Sequence, residues 1–157
     1  MTPFFADFAL QEALRSELAS WEGTRFWACC GARGRKGVGV DCVSFAAAVL
    51  LNVGAIKPFP WPRYVLSGGG AAMGELLERI IAGIPELTKV WKPGECLPEV
   101  LPGDVFYRMA ENGDGHHLAV YGGDNTLWHA LIRRGVCTGN INDRYKVRLG
   151  GIYRATC

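Results

Sequence analysis

One segment in the N-terminal half constrains the fold most strongly, because it is apolar on almost every side. From Asp41 or Cys42 to about Val53, alanine, valine, leucine and phenylalanine dominate the sequence. A helix that is apolar all round has to be buried. Gly54 follows, and a glycine just past the last helical residue commonly ends a helix. The segment therefore predicts a buried central helix on which the rest of the chain packs.

The start of this predicted helix carries a cysteine, which follows a glycine-punctuated loop with Gly37 and Gly39. Cys42 would lie in the first turn, where unpaired N–H groups and the positive end of the helix dipole stabilise an anion. This position predicts a thiol pKa below the usual value of about 8.5 and makes Cys42 a candidate nucleophile. A free cysteine is also often a small buried hydrophobic residue, so a purely structural Cys42 is the alternative.

The segments around the central helix contain two further helical patterns. Residues 4–20 and Met73 to Ile84 place apolar side chains at spacings of three and four, with charged residues between them, which predicts amphipathic helices. Between the central helix and the second pattern, residues 57–70 contain prolines and a glycine triplet, which predict a loop. Its aromatic residues Trp61 and Tyr64 either wall a cleft or only hold the loop in place.

The C-terminal half has a different pattern, in which short β-prone runs alternate with turn residues. The turns at 112–115 and 122–125 fit hairpins of an antiparallel sheet. Helices followed by strands predict an α+β fold, and we expect residues 1–157 to form a single domain. The predicted strands are Asp104 to Met109, His117 to Tyr121, Thr126 to Leu131, Gly135 to Cys137, and Val147 to Arg154.

Composition excludes several classes of protein. A net charge of +2 with only a short basic run gives no indication of nucleic-acid binding. Apolar runs are interrupted well before the length of about 18 residues that a membrane helix needs, so no membrane insertion is expected. The N-terminus lacks the features of a secretory signal, which predicts synthesis in the cytoplasm and reduced thiols. Neither the six cysteines nor the histidines have metal-binding spacing, and no cofactor is expected.

The three histidines supply candidate partners for the cysteine. If their strands pair through the 122–125 turn, His117 and His129 become cross-strand neighbours and can hydrogen-bond to each other. A cysteine protease needs such a relay, in which one imidazole acts as base and a third polar group fixes its tautomer. His116 and His117 point to opposite faces of a strand, so only one of them can face Cys42. Three unrelated histidines are the alternative.

Five motifs occur in an order that resembles the NlpC/P60 family of papain-like cysteine peptidases. The resemblance implies a papain-like fold with the nucleophile at the start of a buried helix that packs on an antiparallel sheet. It implies that Cys42 is the nucleophile, His117 the base and His129 the orienting residue, and that a thiolate–imidazolium pair attacks a peptide carbonyl. The motifs are Gly23-Thr24-Arg25-Phe26, Gly39-Val40-Asp41-Cys42, Pro102-Gly103-Asp104-Val105, His117-Leu118-Ala119-Val120-Tyr121 and Trp128-His129-Ala130.

Two positions depart from that family pattern. Phe26 replaces a tyrosine that many relatives carry, and Val43 replaces the serine after the nucleophile. The resemblance implies that Asp41 helps to hold the free amine of a peptidoglycan stem peptide. Asp41 and the aromatic residues Phe26, Trp61 and Tyr64 form the predicted substrate-binding set, whereas Ser44 is expected only to pack within the helix.

The resemblance extends to the phage-tail and gene-transfer-agent branch of the family through Arg134-Gly135-Val136 and residues 144–154. It implies a tail-associated peptidase that opens peptidoglycan, with stem peptides and phage tail proteins as partners.

Two other classes of function stay open. One is an amidase or acyltransferase that uses the same Cys-His pair on a lipid or small amide, and the other is a structural tail protein without activity. Cys30 is the rival nucleophile.

Overall fold

The computed structural model describes residues 1–28, 33–61, 63–64, 71–109 and 116–157, without the side chains of residues 71–73 and 144. Helices precede most of the strands, which confirms the predicted α+β class. A short 3₁₀ helix spans Phe4–Ala6, and the α-helices are α1 (Phe8–Ala19), α2 (Cys42–Asn52), α3 (Ala71–Ala82) and α4 (Asp143–Lys146). The strands are β1 (Leu87–Trp91), β2 (Val105–Met109), β3 (His116–Gly123), β4 (Thr126–Leu131), β5 (Gly135–Asn140) and β6 (Leu149–Ala155).

The described strands form one antiparallel sheet in the order β1-β6-β2-β3-β4-β5. The hairpin between β3 and β4 turns at Asp124 and Asn125, whose φ angles are 49° and 58°. Asp and Asn tolerate this left-handed conformation, which matches the twist of a two-residue hairpin loop. The predicted hairpin at 122–125 is therefore confirmed, whereas the predicted turn at 112–115 lies outside the described residues.

Helix α2 is the buried central helix that its composition predicts. Asp41 precedes it as the N-cap, and Gly54 follows it with a φ of 76°. The side chain of Phe45 is fully buried and meets the ring of Trp21 edge-on, with 5.8 Å between the ring centroids. Helix α2 packs against β3 and β4, which brings its first residue to the sheet.

Some element boundaries differ from the sequence prediction. The helix predicted for residues 4–20 is divided at Asp7, whose backbone is extended and whose carboxylate accepts a hydrogen bond from the Ala9 amide as the cap of α1. Helix α3 begins before Met73 and ends at Ala82. Strand β1 was not predicted, because its sequence lacks a strict alternation of apolar and polar residues. It forms an edge of the sheet beside β6.

The two faces of the sheet have different coverings. We call the face that packs on helices α1, α2 and α3 the inner face; it carries Val105, Tyr107, Leu118 and Val120. The opposite, outer face carries a smaller cluster that includes Tyr145 of α4. The other buried members of that cluster are Trp91, Phe106, Ala119, Leu127, Leu149 and Ile152. Within the described ranges, no helix combines the length and apolarity needed to cross a membrane.

The Pro-Gly-Asp motif before β2 has a structural explanation. Asp104 is fully buried, and Arg154 of β6 donates to both of its carboxylate oxygens, at 2.7 Å from Nε and 2.7 Å from a terminal nitrogen. Gly103 has a φ of 86°, and the ring of Phe5 lies so close that an added Cβ would be 2.1 Å from it. Only glycine fits there, and the ion pair fastens the start of β2 to β6.

Candidate active site

Cys42 is the first residue of α2, and its side chain is only 5% exposed. The backbone amide of Leu118 on β3 acts on its sulfur, as do the amides of Cys42 itself and of Val43, and all three lower the pKa of the thiol. Leu118 directly follows His117 in the sequence. The start of α2 thus places the thiol one residue along β3 from the predicted base.

Burial raises the pKa of the Cys42 thiol to about 11, and the negative charge of Asp41 raises it further, although the amides of Leu118, Cys42 and Val43 act in the opposite direction. The prediction that this pKa lies below its usual value is therefore wrong, although the helix-terminal amides act in the predicted direction. The free-energy cost of removing a thiolate from water exceeds the stabilisation that the helix-terminal amides provide. The thiol is protonated at neutral pH.

The predicted contact between the two histidines is confirmed. His117 Nε2 and His129 Nδ1 are 3.1 Å apart, and the ring centroids are separated by 5.1 Å. The ladder between β3 and β4 extends from the hairpin to the pair Val120–Trp128 among the described residues, so His129 lies one residue and His117 three residues past its last pair. The two imidazoles therefore join the strands where the backbone ladder has ended.

Both histidines are neutral at pH 7. Burial lowers the pKa of His117 to about 3, with further lowering from the charges of His129 and Arg108. Burial likewise lowers the pKa of His129 to about 4, together with the charges of Arg134 and Arg108. The thiolate–imidazolium pair implied by the resemblance is therefore not the resting state, because the thiol and both imidazoles are neutral at pH 7. With Nε2 engaged, His117 retains Nδ1 for proton transfer.

His116 has a different environment from its neighbour. Its Nδ1 forms a short hydrogen bond with the hydroxyl of Tyr107, and the two rings are parallel with centroids 5.4 Å apart. Gly74 of α3 lies against this pair, because an added Cβ would be 2.7 Å from the His116 ring and 2.7 Å from the Tyr107 hydroxyl. His116 therefore occupies the inner face beside Tyr107. The His116 side chain thus has a hydrogen-bond partner within the chain.

The cap of α2 contains two of the predicted substrate-binding residues. Asp41 is fully buried; its Oδ1 accepts a hydrogen bond from the Ser44 amide at 2.7 Å, and the Tyr64 hydroxyl donates to Oδ1 and Oδ2 at 3.0 and 2.8 Å. Ser44 Oγ accepts in return from the Asp41 amide at 3.0 Å. Ser44 thus completes a capping box, a role that its spacing of three residues from Asp41 could have indicated. Substrate binding by Asp41 and Tyr64 stays a prediction.

The other two predicted substrate-binding residues lie near the same cap. Phe26 forms a parallel bridge with Val40 and packs against the inner-face core. Trp61 lines a cavity of about 110 Å³ with Ser44, and its ring lies 5.3 Å from that of Phe59. The structure therefore gathers Phe26, Trp61 and Tyr64 around the residues that precede and begin α2.

Sequence inspection missed one residue beside the histidine pair. Arg108 of β2 lies directly opposite His117 in the strand register, and its charge acts on both histidines. Nothing in a single sequence marks an arginine in a β-strand, because its significance depends on the register. Cys30, the rival nucleophile, lies outside the described residues. In the part of the chain that the structure describes, no group of three His, Cys, Asp or Glu residues could hold a metal ion.

Comparisons with known proteins give structural rather than sequence relatives. No family model and no curated protein matches the chain. A solved structure of an NLP/P60-family protein similar to lipoprotein, from Staphylococcus aureus, covers 100% of the chain at 17% identity and a TM-score of 0.60. An NlpC/P60-family protein from Bacillus cereus covers 90% at 22% identity and a TM-score of 0.54. The chain spans 45% and 39% of the lengths of these two proteins.

A third solved structure has a length similar to that of the chain. RipD from Mycobacterium tuberculosis, described as a non-catalytic NlpC/P60 domain protein adapted to peptidoglycan binding, covers 94% of the chain at 14% identity and a TM-score of 0.52. The alignment includes 98% of RipD. These likenesses show that the chain has the NlpC/P60 fold, as the order of its motifs predicts.

Proposed function

We propose that the chain is a cysteine-type peptidase that cleaves peptide bonds in peptidoglycan stem peptides. The observation that carries the proposal is the hydrogen bond of 3.1 Å between His117 and His129, next to Leu118, whose backbone amide acts on the Cys42 thiol. A nucleophile, a base and an orienting group are the parts that this chemistry needs. The fold shared with NlpC/P60 proteins supports peptidoglycan as the substrate.

The neutral resting state sets the order of proton transfers. His117 Nδ1 accepts the thiol proton as the Cys42 sulfur attacks the peptide carbonyl carbon, and His129 holds the Nε2–H of His117 so that Nδ1 is the basic nitrogen. The amide of Cys42, at the N-terminus of α2, stabilises the oxyanion. The imidazolium then protonates the leaving amine as the C–N bond breaks. Water, deprotonated by His117, releases the acyl group from sulfur.

Digestion of purified sacculi tests the proposal. We expect the wild-type chain to release soluble peptide fragments, and mass spectrometry of their new termini identifies the bond that is cut. Cys42→Ala should release none. Cys96→Ala is the matched control, because Cys96 is an exposed free cysteine outside the site, and it should act like the wild type. Fragment release by Cys42→Ala at the wild-type rate would exclude Cys42 as the nucleophile.

A second candidate function is peptidoglycan binding without catalysis. The specific observation in its favour is the Cys42 thiol, which is 5% exposed and has a raised pKa. RipD, a non-catalytic protein with a similar fold, shows that the second role is compatible with this architecture. Co-sedimentation with sacculi separates the two functions. Binding by the wild-type chain without any fragment release would favour the second.

The proposal extends to a phage-tail location, which rests on the resemblance of Arg134-Gly135-Val136 and residues 144–154 to the tail-associated branch. Stem peptides and tail proteins would then be the partners, and the chain would be made in the cytoplasm and carried on the particle. Mass spectrometry of purified phage particles from the host tests this extension. Detection of the chain only in the soluble lysate would contradict it.

A further inference from the structure

Two exposed turns lie next to the segment of residues 24–27. The turn at residues 35–39 contacts it through Arg25, whose Nε donates to the Val38 carbonyl at 2.8 Å. The turn between β4 and β5 contacts it through Gly135, because a Cβ added to this glycine would be 3.1 Å from the Arg25 Cα. The two turns and the segment therefore form one continuous surface.

Each part of this surface exposes a large apolar side chain. Trp27 is 55% exposed, Val38 is 49% exposed, and Ile132, in the turn after β4, is 72% exposed. Single exposed apolar residues are common on proteins, whereas a group of them close together marks an interaction site. The guanidinium carbon of Arg25 lies 5.3 Å from the centre of the Trp27 ring, so charged and apolar groups share the surface.

The charged groups of this surface are arginines. Arg25, Arg133 and Arg134 are exposed, and no carboxylate of the described residues forms an ion pair with them. Arg133 has a φ of 71°, which asparagine and glycine adopt more readily, so the shape of the turn does not require an arginine there. We call this surface the Arg–Trp patch; it consists of Arg25, Trp27, Val38, Ile132, Arg133 and Arg134.

This combination of side chains narrows the partner. A dissolved polyanion such as a nucleic-acid strand neutralises arginines, but it gives Val38 and Ile132 no apolar surroundings. A bilayer with anionic headgroups offers both kinds of contact, because its surface attracts cations and its interfacial region accepts tryptophan and aliphatic side chains. An arginine also keeps its charge among the headgroups while its stem lies along apolar groups.

We propose that the Arg–Trp patch binds the surface of a bilayer that contains anionic phospholipids. The chain lies on the bilayer without crossing it, because only side chains of the patch enter the headgroup region. This inference goes beyond the proposed function, since binding requires no catalysis. The charge of Arg134 acts on His129, so the patch borders the histidine pair, and binding holds that pair near the membrane surface.

Co-sedimentation with lipid vesicles tests the inference. Vesicles of phosphatidylcholine with about 30% phosphatidylglycerol are the anionic probe, and vesicles of phosphatidylcholine alone are the neutral reference. The wild-type chain should partition at least about tenfold more strongly onto the anionic vesicles. Equal partitioning onto both kinds of vesicle, or none onto either, would overturn the inference.

Charge variants test whether the patch makes the contact. Arg133→Asn combined with Arg134→Gln should reduce partitioning onto the anionic vesicles about 10- to 30-fold, because each arginine near such a surface contributes about a factor of five. Arg79→Gln combined with Lys92→Gln is the matched control and should bind like the wild type. It removes two exposed charges on α3 and after β1, at the opposite edge of the sheet from β5. Wild-type binding by the patch variant would contradict the assignment.

An apolar substitution separates a bilayer from a dissolved polyanion. Ile132→Ser should weaken partitioning onto the anionic vesicles at least about threefold, whereas Val147→Ser, at an 83% exposed valine outside the patch, should not. If Ile132→Ser binds like the wild type and a single-stranded oligonucleotide displaces the chain from the vesicles, the partner is a polyanion and the inference is wrong. Circular dichroism checks folding, and Ile132→Ser keeps the test decisive if the double arginine variant does not fold.

Discussion

Two arginines on neighbouring strands of the same sheet have opposite environments. Arg154 of β6 donates to both oxygens of the buried Asp104 and to the carbonyl of Glu99 at 2.8 Å. Arg108 of β2 faces a neutral histidine pair, and its buried Nε has no acceptor among the described residues. The first charge is neutralised within the chain and serves the architecture. The second contacts the ring of Tyr145, and its Nε has no acceptor among the described residues.

The difference leads to separate expectations for stability and for activity. Removing one member of a buried ion pair leaves the other uncompensated, which is strongly destabilising. Replacing a group beside a reacting atom changes the barrier to reaction and leaves the free energy of unfolding almost unchanged. Variants at the two places therefore test whether the comparison is correct.

The largest expected effect is on activity, at His117. His117→Gln removes the proposed base, and we expect kcat for fragment release from sacculi to fall about 10²- to 10⁴-fold. Its melting temperature should stay close to that of the wild type. His116→Gln is the matched control, because it lies on the same strand but pairs with Tyr107. Loss of activity in His116→Gln with full activity in His117→Gln would assign the base to the inner-face histidine.

The next effect is on stability, at Asp104. Asp104→Asn removes the counter-charge of Arg154 inside the protein, and we expect the free energy of unfolding to fall by about 3–5 kcal/mol. Urea unfolding followed by tryptophan fluorescence measures it. Activity per folded molecule should be unchanged, because the pair lies away from the thiol. A variant with wild-type stability would show that this ion pair is not structural.

Local sequence patterns predicted much of the fold. The uniform apolarity of residues 42–53 is enough to bury a helix, and the residues at 122–125 are enough to turn a hairpin. The contact between His117 and His129 follows from the hairpin, because the hairpin brings β3 beside β4. Strand β1 was missed because an edge strand depends on its neighbour β6 more than on its own alternation.

Other parts of the site depend on distant neighbours and could not be predicted. Tyr64 binds Asp41 across 23 residues of sequence, and Arg108 gains its position from the register of β2 with β3. The pKa of Cys42 is the clearest case. Its place at a helix terminus is visible in the sequence and favours a thiolate, but the opposing burial depends on packing against β3 and prevails.

A smaller effect is expected at Tyr64, whose hydroxyl, like the guanidinium of Arg154, has its hydrogen-bond partners within the chain. Tyr64→Phe removes the hydroxyl that donates to both oxygens of the buried Asp41. A buried carboxylate that loses a donor costs about 1–3 kcal/mol, and urea unfolding should show a loss of this size. Tyr153→Phe is the comparison for loss of a tyrosine hydroxyl whose partners, Lys89 and Glu78, are exposed rather than buried. An unchanged free energy of unfolding would show that Asp41 does not depend on Tyr64.

The smallest effect concerns how the free energy of unfolding depends on pH, and it comes from the histidine pair. Burial lowers the pKa of His117 to about 3 and that of His129 to about 4, whereas both are near 6.5 in the unfolded chain. The unfolded state therefore binds more protons between these values, so the free energy of unfolding is fully present above pH 6.5 and falls as the pH drops toward 4. Each proton accounts for a slope of about 1.4 kcal/mol per pH unit at most. In urea unfolding between pH 4.5 and 7, His117→Gln should reduce the slope by about one proton, whereas Arg108→Gln should leave more than half of it. An identical slope in wild type and His117→Gln would show that His117 is protonated in the folded chain.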